Sequence, residues 1–192
     1  MNAAPRFFSS SIGLKVVMAV TGVALVLFVI VHMLGNLQVF IDPELLTVYG
    51  EKLRAVPALL WGARVGLLVM VLLHMWAAYR LTVLNARARP EGYRAKEHRE
   101  STLASRTMRV SGVLIVIFVL YHLAHFTWGW RAVHPQFIPG DVAHNFITAF
   151  RSPVVSTLYI LAMLALFPHL YHGVWSWMQT LGLSHPRYNP LR

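Results

Sequence analysis

Residues 154–181 read VVSTLYILAMLALFPHLYHGVWSWMQTL, 28 consecutive positions without Asp, Glu, Lys or Arg but with two histidines, His169 and His172. Roughly 20 apolar residues carry a helix across the hydrocarbon of a bilayer, so this stretch is long enough to span it. Three others of the same kind occupy residues 14–40, 59–84 and 110–130. Each is too long for a core helix of a small soluble domain. Each is also apolar nearly all round, as a helix must be when lipid lies on one side and apolar protein on the other. The prediction is an all-α fold, a polytopic transmembrane helical bundle forming one membrane domain over residues 1–192. No internal repeat or low-complexity tract stands out. The first apolar run exceeds the roughly 7–15 residues of a signal-peptide core and no small-residue cleavage pattern follows it, so it is expected to remain in the mature chain.

Composition agrees. Hydrophobic residues make up 57% and charged residues 12% of the 192 positions, against roughly 45–50% and about 25% in soluble domains; the mean hydropathy is +0.56. The absence of cysteine excludes disulfides, thiolate metal sites, iron–sulfur clusters held by this chain and a cysteine nucleophile. The net charge is +10, and half of it lies in one place. Between Arg80 and Arg109 eight cations stand against Glu91, Glu97 and Glu100, net +5, whereas residues 41–58 are net −1. The positive-inside rule puts the basic loop, residues 85–109, in the cytoplasm. Residues 41–58 and 131–151 become outside loops, and the N-terminus lies in the cytoplasm. Nucleic acid is a poor reading of a cationic loop beside a span; topology, anionic lipid or a docked soluble subunit accounts for it better.

Every span carries histidine, and an ionisable group at that depth marks function by default. His32 lies eight residues before Phe40 and His122 eight before Trp130; His74 lies six before Arg80 and His172 seven before Gln179. With alternating helix directions, the first two share an outer layer and the last two an inner layer, about 10–15 Å apart at 1.5 Å per residue. Two imidazoles per layer are too few for zinc or copper but suffice as the two axial ligands of a haem iron. Two stacked haems are therefore expected. His122 and His125, like His169 and His172, are three apart and project from nearly the same face, so either member of each couple could be the ligand. His125 could instead bond a propionate or a quinone carbonyl, and His169 follows Pro168, where a kink would free the Leu164 carbonyl. Gly35, Ala77, Ala78 and Gly173 are small residues beside these histidines. Arg64 for the outer haem, and Lys15, Arg106 and Arg109 for the inner, are candidate propionate partners, with snorkelling to headgroups as the alternative. Gln38, Tyr49 and Arg54, or Ser105 and Arg106, are candidate quinone contacts. His98, His134, His144 and His185 are expected to be solvated.

The strings Val31-His32-Met33 with Gly35-Asn36-Leu37, His74-Met75-Trp76-Ala77-Ala78, Tyr121-His122-Leu123-Ala124-His125-Phe126, and His169-Leu170-Tyr171-His172-Gly173-Val174-Trp175 through Gln179-Thr180-Leu181-Gly182 resemble the dihaem cytochrome b subunit of succinate:quinone oxidoreductase and fumarate reductase. The resemblance implies axial histidines at His32, His74, His122 and His172, pairing first span with third and second with fourth. It implies two haem b groups, a quinone substrate, often menaquinone, and a bacterial cytoplasmic membrane. A flavoprotein with covalent FAD and an iron–sulfur protein would be the cytoplasmic partners, succinate being oxidised there and not in this chain. Members usually carry a fifth helix after the Gln-Thr-Leu-Gly segment, where this sequence ends at Arg192; that helix is expected to be outside this sequence, dispensable or supplied by another chain, which leaves oligomer contacts open. No carboxylate lies in the fourth span, so proton uptake through an acidic residue there does not carry over. Two other readings remain: the cytochrome b subunit of a formate dehydrogenase or hydrogenase, and a haem-free transporter using its histidines as relays.

Overall fold

The computed structural model describes residues 7–88 and 101–183. The fold is built from α1 (Ser11–Leu37), α2 (Glu44–Arg54), α3 (Pro57–Arg87), α4 (Leu103–Phe126), α5 (Val142–Phe150) and α6 (Pro153–Thr180), with a 3-10 turn over Gln38–Phe40 closing α1. Four of these, α1 with its turn, α3, α4 and α6, are long and apolar enough to cross a membrane. The helix starts are written in the sequence. Ser10 Oγ accepts from the Gly13 amide at 3.0 Å, Thr102 Oγ1 from Ser105 at 3.1 Å and Asp141 Oδ1 from His144 at 2.9 Å, each satisfying a first-turn N–H that has no helical partner. Pro57 and Pro153 open α3 and α6, where proline's missing N–H costs nothing. The Gln-Thr-Leu-Gly string closes α6: Gly182 takes φ +74°, its amide bonds the Gln179 carbonyl and the Leu183 amide bonds that of Met178, the left-handed cap that glycine favours.

The long helices pack α1 on α3, α4 on α6 and α1 on α6, two antiparallel hairpins joined along one seam. At the end carrying the chain's N-terminus, Leu14 is fully buried with Ala77 and Leu81, flanked by Val17, Met18 and Leu84, which ties α1 to α3. Elsewhere the spans present bare apolar side chains, among them Leu27, Val65, Leu72, Ile117, Leu161 and Phe167, as lipid-facing surfaces do.

Three expectations change. The segments anticipated as outside loops each contain a helix, α2 and α5, and these pack on each other to cap one end of the bundle. The Thr47 hydroxyl accepts from the Ala143 amide at 3.0 Å and Arg54 donates to the Gly140 carbonyl at 3.1 Å. Of the basic loop expected over 85–109, residues 85–87 and 103–109 are helical and 89–100 lie outside the described residues, as do His98 and His185. His134, expected in solvent, is 3% exposed; its ring N–H donates to the His125 carbonyl at 3.2 Å and Nε2 lies 3.3 Å from the Thr148 hydroxyl. His144 likewise donates to the Gln136 carbonyl at 3.1 Å.

Candidate functional site: facing histidine pairs

His32 and His122 stand opposite one another near the capped end, ring centres 5.7 Å apart and planes at 90°. They come from α1 and α4, one from each hairpin. Nearer the other end, His74 of α3 faces α6, and the ring opposite it is that of His169, at 6.4 Å and 61°. The expected partner, His172, is not the one brought there. Three residues further along a helix is about 4.5 Å further down the axis and some 60° round. Counting residues from a span end resolves depth no better than this one turn. His172 is half-buried and its ring makes no hydrogen bond among the described residues. α6 runs without a break through Pro168.

Three hydroxyls missed in the sequence hold these rings. Thr21 Oγ1 lies 3.1 Å from His74 Nδ1, Ser111 Oγ 3.2 Å from His169 Nδ1 and Tyr159 Oη 3.2 Å from His122 Nδ1. Tyr159 Oη also lies 3.1 Å from Nδ1 of His125, which is fully buried. Where Nδ1 is engaged in this way, Nε2 is the nitrogen left for a metal. Metal–imidazole bonds of about 2 Å, with about 1.1 Å from nitrogen to ring centre, put two imidazoles on opposite sides of one ion about 6 Å apart. Both observed separations fit that span. Among the described residues no group of three or more His, Cys, Asp or Glu is placed to hold a bare ion, so the two-ligand demand of haem is the one the pairs meet. His125 Nε2 and Trp177 Nε1 are buried without a hydrogen-bond partner among the described residues, two nitrogens of the kind a bound polar group would engage.

The signal that finds the hydroxyls is a repeat, and it corrects the expectation that none exists. Residues 18–32, MAVTGVALVLFVIVH, and 108–122, MRVSGVLIVIFVLYH, match at eight of fifteen positions with a constant offset of 90. Thr21 corresponds to Ser111, Gly22 to Gly112 and His32 to His122. The contacts repeat too. Phe28 stacks on His32 at 5.3 Å and Phe118 lies on His122 at 5.8 Å. A Cβ on Gly22 would sit 3.5 Å from Cε1 of His74, and one on Gly112 3.5 Å from Cε1 of His169. The first span of each hairpin thus carries the same 15-residue pattern, and each sets its glycine against a histidine of the span that follows.

The remaining candidates are placed as follows. Arg64 is exposed with its guanidinium 5.1 Å from the Trp61 ring centre; Lys15, Arg106 and Arg109 are exposed near the opposite end. Gln38 donates to the Gly35 carbonyl at 2.8 Å, and Gly35 admits the Tyr49 ring, which a Cβ there would approach to 3.0 Å. Ala77 belongs to the apolar cluster with Leu14, while Gly173 faces open space.

Fold and site together define a multi-pass helical membrane protein whose two hairpins pair histidines across their seam. A family model described as the succinate dehydrogenase/fumarate reductase transmembrane subunit matches residues 85–186, just over half of the chain, and the protein belongs to that family. It is therefore a membrane subunit of an oxidoreductase complex with soluble catalytic partners. No curated protein matches the chain and no solved structure does.

Proposed function

We propose that this chain is the cytochrome b membrane anchor of a succinate:quinone oxidoreductase, carrying two b haems that relay electrons between an iron–sulfur subunit and membrane quinone. The observation that carries the reading is the pair of facing imidazole couples at 5.7 and 6.4 Å. His32 with His122, and His74 with His169, are the ligands proposed; His169 takes the place expected of His172. When bound, a haem with two histidine ligands supplies one-electron transfer without an open position for oxygen.

The chain's own residues supply ligation, orientation and insulation. Phe28 and Phe118 lie against the capped-end rings. Lys15, Arg106 and Arg109 at one end and Arg64 at the other are the proposed cationic partners of the propionates, joined by the Trp177 indole N–H and by His125 Nε2, which have no partner among the described residues. The N-terminus and the basic segment 85–109 are assigned to the cytoplasm of a bacterium, where the cations meet the iron–sulfur subunit and the flavoprotein carries FAD. Menaquinone is the proposed quinone.

The test is a reduced-minus-oxidised spectrum with haem quantification on the purified complex. Two haems per chain co-purifying with a covalent-flavin subunit are expected. A haem-free chain would replace this reading with a histidine-relay transporter, and a molybdenum or nickel partner with a formate dehydrogenase or hydrogenase subunit.

A further inference from the structure

We infer that Thr21 and Ser111 are equivalent positioning residues, one per repeat, each fixing the tautomer of the histidine on its own hairpin so that Nε2 of His74 and of His169 is presented as a lone pair. The inference rests on the proposal that these two histidines ligate a haem, and adds what makes them ligands.

The argument is an accounting of hydrogens. A threonine or serine hydroxyl has one hydrogen to give. Thr21 Oγ1 lies 2.7 Å from the Val17 carbonyl and 3.2 Å from that of Met18; Ser111 Oγ lies 3.1 Å from the Met108 carbonyl. Carbonyls only accept, so we assign each hydroxyl hydrogen to its own helix, where the carbonyl contact is the shorter of the two. Toward the histidine the oxygen can act only as an acceptor. His74 Nδ1 at 3.1 Å and His169 Nδ1 at 3.2 Å must then carry the proton, and a neutral imidazole protonated at Nδ1 has its lone pair on Nε2. Both hydroxyls are buried, Thr21 at 3% and Ser111 at 4% exposure, so water does not compete for them. The arrangement recurs in both halves of the chain although the rings it holds lie in segments that do not share the repeat's residue pattern.

His122 is held differently. Tyr159 Oη stands between two ring nitrogens, those of His122 and His125, and no backbone carbonyl claims its hydrogen among the described residues. Its donor and acceptor directions are open, so of the two facing couples it is the His74–His169 couple whose tautomers the hydroxyls set.

The test is a redox titration of the purified complex, followed at the haem α-band and by low-temperature spectra, in wild type, Thr21→Val, Thr21→Ser, Ser111→Ala and Ser111→Thr. An acceptor on Nδ1–H makes the imidazole a stronger donor to iron. Losing it in Thr21→Val or Ser111→Ala should therefore raise the potential of one haem wave and leave the other in place, while the hydroxyl-retaining variants keep both. Unmoved waves in Thr21→Val and Ser111→Ala, with two haems present, would overturn the inference and leave the function standing. If Thr21→Val loses a haem outright, Thr21→Ser decides: retention at the wild-type potential supports hydrogen bonding, and loss in both reduces Thr21 to packing. A wild-type complex without haem removes the parent reading, and this one with it.

Discussion

At the scale of single residues, His169 and His172 separate two descriptions of the same helix. His169 meets His74 across the seam and has its Nδ1 held by Ser111; His172 has neither. Replacing His169 by Ala should reduce haem content from two to one per chain, whereas His172→Ala should retain both, as measured by pyridine haemochrome assay of the purified complex. The reverse outcome would restore the pairing anticipated from depth alone. Depth was legible because charge and tryptophan mark span ends, but it is resolved to about a turn. Choosing between residues three apart takes azimuth, and azimuth is set by which neighbouring helix offers a hydroxyl. Thr21 and Ser111 were invisible as isolated small polar residues in apolar runs. Aligned at an offset of 90 they were readable, but the second span of each hairpin does not share the pattern, so the match is confined to fifteen positions.

At the scale of elements, the four spans were plain in the sequence and the two cap helices were not. α2 and α5 are 11 and 9 residues long, short enough that isolated helices of that length are marginal in water, and the charges within α2 and flanking α5 make the segments look like loops. They hold by tertiary contacts: Leu46 is buried, and Asn145 bonds both the amide and the carbonyl of Ile138 at 2.8 and 2.7 Å. The turn after α4 shows how tightly the cap is specified. Gly129 takes φ +59°, and a Cβ there would collide with the Phe137 ring. Gly129→Ala should cost about 1–2 kcal/mol for the backbone alone, with the displaced ring adding to it. Gly140 takes φ +92° but faces open space, so Gly140→Ala should lower the thermal midpoint of the detergent-solubilised protein by less than Gly129→Ala does. Equal shifts would mean that Phe137 yields freely.

At the scale of the whole molecule, the absence of cysteine makes the topology directly testable. A single cysteine introduced at Gly92, in the basic segment, should react with a membrane-impermeant maleimide only after the membrane is opened. One introduced at Ala132, exposed beside the cap, should react in intact cells. Labelling of the first and protection of the second would invert the assigned orientation and place the soluble partners at the cap.

The two-hairpin construction also has a mechanical meaning. Within a hairpin, helix packing ties the spans together and a hydroxyl of the neighbouring helix holds the rings of His74, His122 and His169; between hairpins, the principal contact is α1 against α6. Each histidine couple has one member on either side of that joint. The arrangement has the geometry of calipers with two jaws mounted on a single pivot. A small rotation about α1 and α6 would change the gap between His32 and His122 and the gap between His74 and His169 in the same movement.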